Sequence, residues 1–373
     1  MKKFLMLYIL VLLVTVSFLF SEVKNQDKPL KGQWDFELKE VWTVDKAGDK
    51  PLVKPRHLMV SKDGTNYLYD GKNVEYYTFT KDGKFIKTFA KRGEGPGELK
   101  RFYNAFLLKD KHIIADAYEI EYLTKDGKFI KSIKNDFSQR LPDFFISEDE
   151  FVYFPLLKLN NPDIDGKIFK YNIKTQTQKL LAEFPVFEGG TVKNEEVVIG
   201  VIVPGLSPLM VIGYTPGIIY YGYNSSYVII AADYSGKKLH SFSLERKKGT
   251  VTKGAKEEFF KDKPIPKNFL PTIMKSLPDE LTYFSRIEIH NKLIFVYVSY
   301  LDQHLANQQI DIFSPDGKYL YRSQVRAPEG FSFTVGRAPI ILIQDDHLYT
   351  ALKKEDGKGK IILAKYKITL PKE

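Results

Sequence analysis

The stretch Lys81-Asp82-Gly83-Lys84-Phe85-Ile86-Lys87 returns 44 residues later as Lys125-Asp126-Gly127-Lys128-Phe129-Ile130-Lys131, each copy preceded by a threonine, Thr80 or Thr124. A fixed period of about 40–50 residues marks a repeat architecture. The unit is strand, Asp-Gly turn, strand: Val74 to Phe79 stands before the first copy's turn and Phe85 to Phe89 after it. Asp-Gly between alternating runs is a hairpin signal, because glycine takes positive φ without a Cβ clash. Weaker copies turn at Lys174-Thr175-Gln176-Thr177, Ser235-Gly236, Asp316-Gly317 and Asp356-Gly357, which makes six outer hairpins. Six such units in one chain predict radial repetition: an all-β, six-bladed propeller of four-stranded antiparallel blades, with an N-terminal strand closing the last blade.

In chain order, blade one runs from about Pro55 to Phe89, and blade two opens on Gly93-Glu94-Gly95-Pro96-Gly97-Glu98-Leu99. Blade three spans roughly 136–185. Blade four follows an apolar run, Val197 to Gly213, whose glycines and prolines rule out a membrane helix. Residues 246–280 interrupt the rhythm and read as an insertion with two short helices, around Glu257 to Phe260 and Asn268 to Ser276. Blades five and six follow, so the propeller is expected over 33–371. Trp34 to Leu38 and Val41 to Val44 are assigned to the closing blade, and the polar residues 22–32 to a linker.

Lys2-Lys3 followed by an apolar run from Phe4 to Phe20 is a positive n-region and an h-region. Residues 1–21 are therefore expected to be a signal peptide or an N-terminal membrane anchor; either sends the domain out of the cytoplasm, to the periplasm or beyond. The chain has no cysteine, which excludes disulfides, thiol catalysis, Cys-ligated zinc and lipid attachment through an N-terminal cysteine. The formal charge of +10 is spread among scattered lysines, aspartates and glutamates, which together with export disfavours nucleic acid. No cofactor is expected, a monomer is, and the only membrane contact expected is through the N-terminal segment.

The pattern Tyr69-Asp70, an aromatic strand and Lys-Asp-Gly-Lys-Phe resembles NHL-type blades, and the Gly-Glu-Gly-Pro-Gly-Glu-Leu segment at 93–99 is similar to an inter-blade loop of the bacterial NHL-like and TolB-like six-bladed propellers. The close match covers 70–99 and 116–131; the blade rhythm covers most of 33–371. The resemblance implies export and a binding role, and leaves the ligand open.

An arginine stands at or just before the inner strand of five blades: Arg56, Arg101, Arg140, Arg286 and Arg337. Inner strands line a propeller's axis, so these five would form a positive funnel for an anionic small molecule, glycan or protein on one rim. With Glu94 beside them they are the candidate ligand-binding residues; the alternative is that each ties its blade to carbonyls or to an acid such as Glu94 or Glu98. A second pattern, Asp70, Asp116, Asn224 and Asp302 at second-to-third-strand turns, fits side chains that cap turns. The other reading of it is a cation site at the axis of a lactonase-like hydrolase, for which several oxygens must converge. The six histidines lack metal-ligand spacing and fit surface or turn positions. No metal site and no catalytic residue is assigned, and the expectation leans to a non-catalytic binding or scaffold module.

Overall fold

At four of the repeat turns glycine does two jobs. In the computed structural model Gly127 has φ +74, and a Cβ on it would lie 2.6 Å from Phe89 of the preceding blade. Gly317 meets Phe242 at 2.6 Å, Gly83 meets Trp42 at 2.8 Å and Gly236 meets the Leu181 carbonyl at 2.9 Å. Each partner belongs to the outer strand of the blade before. The turn thus reverses the chain and seats one blade on its neighbour, and only glycine allows both. The structure describes residues 22–116, 119–134, 141–154, 166–185, 191–193, 198–200, 202–203, 205–261, 265, 269–301, 305–334, 339–356 and 359–372.

Six antiparallel blades result. From axis to rim, blade one is Pro55–Val60, Asn66–Asp70, Glu75–Phe79 and Phe85–Phe89, and blade two is Phe102–Leu108, Lys111–Asp116, Glu119–Thr124 and Phe129–Lys134. Blade three is Phe144–Ser147, Glu150–Tyr153, Lys167–Asn172 and Thr177–Glu183. Blade four is Met210–Thr215, Ile218–Tyr223, Val228–Asp233 and Lys238–Glu245, and blade five is Phe284–His290, Leu293–Val298, Asn307–Phe313 and Tyr319–Arg326. Blade six is Ile341–Gln344, His347–Lys354 and Ile361–Lys367, closed on the outside by Lys39–Val44. The blades' middle strands are buried on both faces, as Tyr67, Tyr76, Tyr77 and Phe79 show in blade one. Their aromatic side chains fill the wedges between neighbouring blades, for example Tyr69 of blade one stacked on Phe102 of blade two at 3.9 Å.

Residues 22–32 are not a linker. Glu22–Gln26 is a strand that adds in parallel to the outer edge of blade four, with Val23 opposite Phe242. Asn25 fixes it: its Nδ2 donates to the carbonyls of Ser243 and Gly317, both at 2.9 Å, and its Oδ1 accepts from the Tyr319 amide at 2.9 Å. The chain then runs along blade five. There the Leu30, Lys31, Trp34 and Phe36 amides donate to the carbonyls of Tyr319, Leu320, Arg322 and Gln324. Trp34 to Leu38 therefore lies beside blade five, not in the closing blade, and only the following Lys39–Val44 strand closes blade six. This belt is polar because one side faces solvent; what holds it is the row of unpaired backbone groups on three edge strands.

The interruption after blade four holds two helices, α1 (Lys253–Phe260) and α2 (Leu270–Ser276). Thr252 caps α1 by accepting the Ala255 amide. The buried Lys256 ammonium donates to the Leu277 carbonyl at 2.9 Å and Asp279 at 2.7 Å. Ile273, Phe260 and Leu277 pack on Val203 and Leu206, and Leu281 and Leu301 join the same cluster. No helix among the described residues is long and apolar enough to cross a membrane.

Three blades bury an acid on the third strand. Glu75 pairs with Lys50 at 2.6 Å, and Asp311 with Arg246 at 2.6 Å. Glu121 has no such cation among the described residues; it accepts the Gly97 amide at 3.2 Å, under the glycine-rich loop. Burial, then the neighbouring Glu119 carboxyl, push its pKa up to about 7 despite that hydrogen bond and Lys100. The unfolded chain, with an ordinary carboxyl, loses this proton first, so folding stability falls as pH rises from about 4.5 to 7 and is flat above. Glu121→Gln removes the effect. Urea unfolding at pH 5 and at pH 8 should show the wild type losing about 2 kcal/mol relative to the variant over that span. Parallel pH profiles would refute the assignment.

Candidate functional site

Asp70 shows what the turn pattern does. Its Oδ2 accepts the amides of Val53 at 2.8 Å and Lys54 at 3.1 Å, and its Oδ1 those of Lys72 and Asn73. Asp116 accepts from Lys100 and Arg101 at 2.8 and 2.6 Å. Asn224 accepts from Leu209 at 2.7 Å and donates to the Phe284 carbonyl at 2.7 Å. In each case the end of the second strand staples the chain entering the inner strand. Asp302 lies outside the described residues. These oxygens are spent on backbone amides, and no group of three or more His, Asp or Glu that could hold a metal occurs among the described residues.

The arginines divide. Arg56 and Arg101 are exposed, Arg56 with its side chain over Gly71, where a Cβ would be 2.6 Å from its Cδ. Arg56 and Arg92 both act on the Tyr69 hydroxyl, whose pKa is nonetheless pushed up to about 12, chiefly by burial. Glu94 is exposed; it is Glu98 that turns into the glycine loop and accepts the Gly95 amide at 2.9 Å. Arg140 and Arg337 lie outside the described residues.

Arg286 differs from these two. It sits inside the innermost strand of blade five, two residues past Phe284, and its guanidinium carbon lies 3.7 Å from the centre of the Tyr297 ring. Its Nη1 faces Glu288 Oε1 and the Pro339 carbonyl of blade six, each at 3.4 Å. Glu288 Oε2 accepts the Tyr297 hydroxyl at 2.8 Å and lies 3.0 Å from His290 Nε2, which donates to it. Burial opposes ionisation of Glu288, but Arg286, then His290 and Tyr297, outweigh it and hold its pKa down to about 2. Burial likewise works against charge on Arg286, and Glu288 more than restores it. The side chains are mostly enclosed, 21% exposed for Arg286 and Glu288 and 14% for His290. Arg286 Nε and Nη2 are buried and make no hydrogen bond of ordinary length and angle among the described residues, although the Tyr297 hydroxyl also favours the charge on the guanidinium.

The sequence reading found Arg286 but missed Glu288, His290 and Tyr297. The signal was present: Arg-Ile-Glu-Ile-His alternates charge and isoleucine at period two, so one face of an inner strand is charged where blade packing calls for apolar residues. The histidines correct another expectation. His112 is fully buried, 4.4 Å from Tyr67 with its Nε2 3.1 Å from the Lys125 carbonyl, and burial lowers its pKa to about 4. His57 is lowered to about 4 by the same cause.

No family model matches the sequence, and no curated protein does. Among solved structures, a member of the DUF4221 family from Bacteroides vulgatus is 10% identical, with 91% of this chain covering 100% of that one at a TM-score of 0.57. A protein from Bacteroides fragilis assigned to export is 13% identical, with 94% of this chain covering 100% of that one at a TM-score of 0.53. At these identities the likeness is one of fold.

Proposed function

We propose that this propeller works outside the cytoplasm as a non-catalytic module that binds an anionic ligand at its axis, where blades five and six meet. The observation that carries this is the pair of unpartnered nitrogens on Arg286. A buried donor without a partner costs about 1–3 kcal/mol, more when charged. The Tyr297 ring and Glu288 hold the guanidinium rigidly in place, so the orphaned edge is preorganised to accept what the fold leaves missing. An acceptor carried by a small molecule, an acidic glycan or a protein side chain supplies it. Location outside the cytoplasm rests on the Lys2-Lys3 and Phe4 to Phe20 pattern, and the export assigned to the Bacteroides fragilis neighbour agrees with it.

Thermal unfolding in the presence of glucuronate, citrate and phosphate tests the reading. At least one anion should raise the wild-type midpoint and leave Arg286→Gln unmoved. Equal shifts in both proteins would place the binding elsewhere, and no shift with any of the three would remove the proposal's support.

A further inference from the structure

We infer that the Arg286 site takes a single carboxylate, gripped along one edge of the guanidinium, in preference to phosphate or sulfate; this rests on the reading of the site as anion-binding. Three features of the cluster narrow the ligand's chemistry. The first is which donors remain. Nη1 is occupied by Glu288 and the Pro339 carbonyl, and the Tyr297 ring covers one face of the group. The two nitrogens left over, Nε and Nη2, are those that share an edge of the planar guanidinium with their N–H bonds parallel. Two parallel donors in a rigid fork match the two oxygens of a carboxylate.

The second feature is shape. Both donors are shielded from solvent, and the Tyr297 ring lies 3.7 Å from one face of the guanidinium. A carboxylate is flat and lies in the guanidinium plane, so it adds no thickness. A tetrahedral anion always carries oxygens out of that plane. Those would leave water without meeting a donor, which is costly for a charged group.

The third is charge. Glu288 is ionised and already neutralises Arg286. A monoanion adds one negative charge beside that carboxylate, whereas sulfate, or phosphate above neutral pH, adds two. In an enclosed site each added charge is weakly screened, so the dianion is penalised more.

The test is an NMR titration of the arginine 15Nε–1Hε resonances of the protein with acetate, sulfate and inorganic phosphate at constant ionic strength. Arg286→Lys identifies the resonance by its loss; should that variant not fold, Tyr297→Leu identifies it by removing the ring current above the guanidinium. Acetate is expected to move this resonance downfield and to saturate at a concentration at least about tenfold below either tetrahedral anion. Phosphate or sulfate saturating as early as acetate would overturn the carboxylate preference and leave the anion site standing. If none of the three moves the resonance saturably, both fall.

Discussion

Asp311→Ala should cost the fold about 3–5 kcal/mol in urea unfolding, because it removes the one acceptor that three buried donors share. Asp311 is fully buried on the third strand of blade five. Its Oδ1 accepts the Tyr319 hydroxyl at 2.7 Å and Arg246 Nη2 at 3.0 Å; its Oδ2 accepts the Tyr227 hydroxyl at 2.7 Å and Arg246 Nη1 at 2.6 Å. Arg246 also reaches Asp27 of the N-terminal belt at 2.7 Å, and Arg322 bonds the same carboxylate. Truncation therefore strands two hydroxyls and half a guanidinium in the wedge between blades four and five and loosens the belt as well. A comparison separates a lost attraction from an unpaired charge. Asp311→Leu combined with Arg246→Met replaces the ion pair by apolar volume, and should be less destabilised than either single change. A loss under about 1 kcal/mol for Asp311→Ala would mean that the cluster is open to water and behaves as a surface pair.

How much of this was legible follows from the range of each interaction. The hairpins are local, and their Asp-Gly chemistry can be read from Lys81–Lys87 and its copy. Why the glycine recurs was not readable from the turn alone, since Phe89 under Gly127 and Phe242 under Gly317 belong to the preceding blade. The belt was illegible for a related reason. Glu22–Gln26 pairs with residues some 219 positions away, and a polar strand on an outer edge carries no apolar period. The axis was half legible. Reading an arginine at each blade start gave one rule for five positions, yet Arg56 and Arg101 reach solvent while Arg286 enters the strand by two residues. That shift of register, together with Glu288 and Tyr297 beside it, turns a rim charge into an enclosed one.

The strand packed against that one yields the second large effect, at a glycine whose backbone conformation is ordinary. Gly213 lies in the innermost strand of blade four, and a Cβ there would sit 2.5 Å from the Ile287 carbonyl oxygen and 2.8 Å from Ile287 Cγ2. Ile287 is itself 3% exposed and stands between Arg286 and Glu288. The inner strands of blades four and five thus touch backbone to side-chain position with no room for a methyl group. Gly213→Ala should destabilise by about 2–3 kcal/mol, and Gly213→Val by more than about 4 kcal/mol, since neither partner is the free end of a flexible chain. The strand that must yield carries the candidate site, so the alanine variant, where it remains folded, should also lose the ligand-induced rise in melting temperature. The pair of readings discriminates. Unfolding midpoints near wild type for both variants would show that the two strands do not approach this closely in solution. A destabilised alanine variant with its ligand response intact would show that the Arg286 cluster is held by Tyr297 and Glu288 alone, independent of the seam behind it.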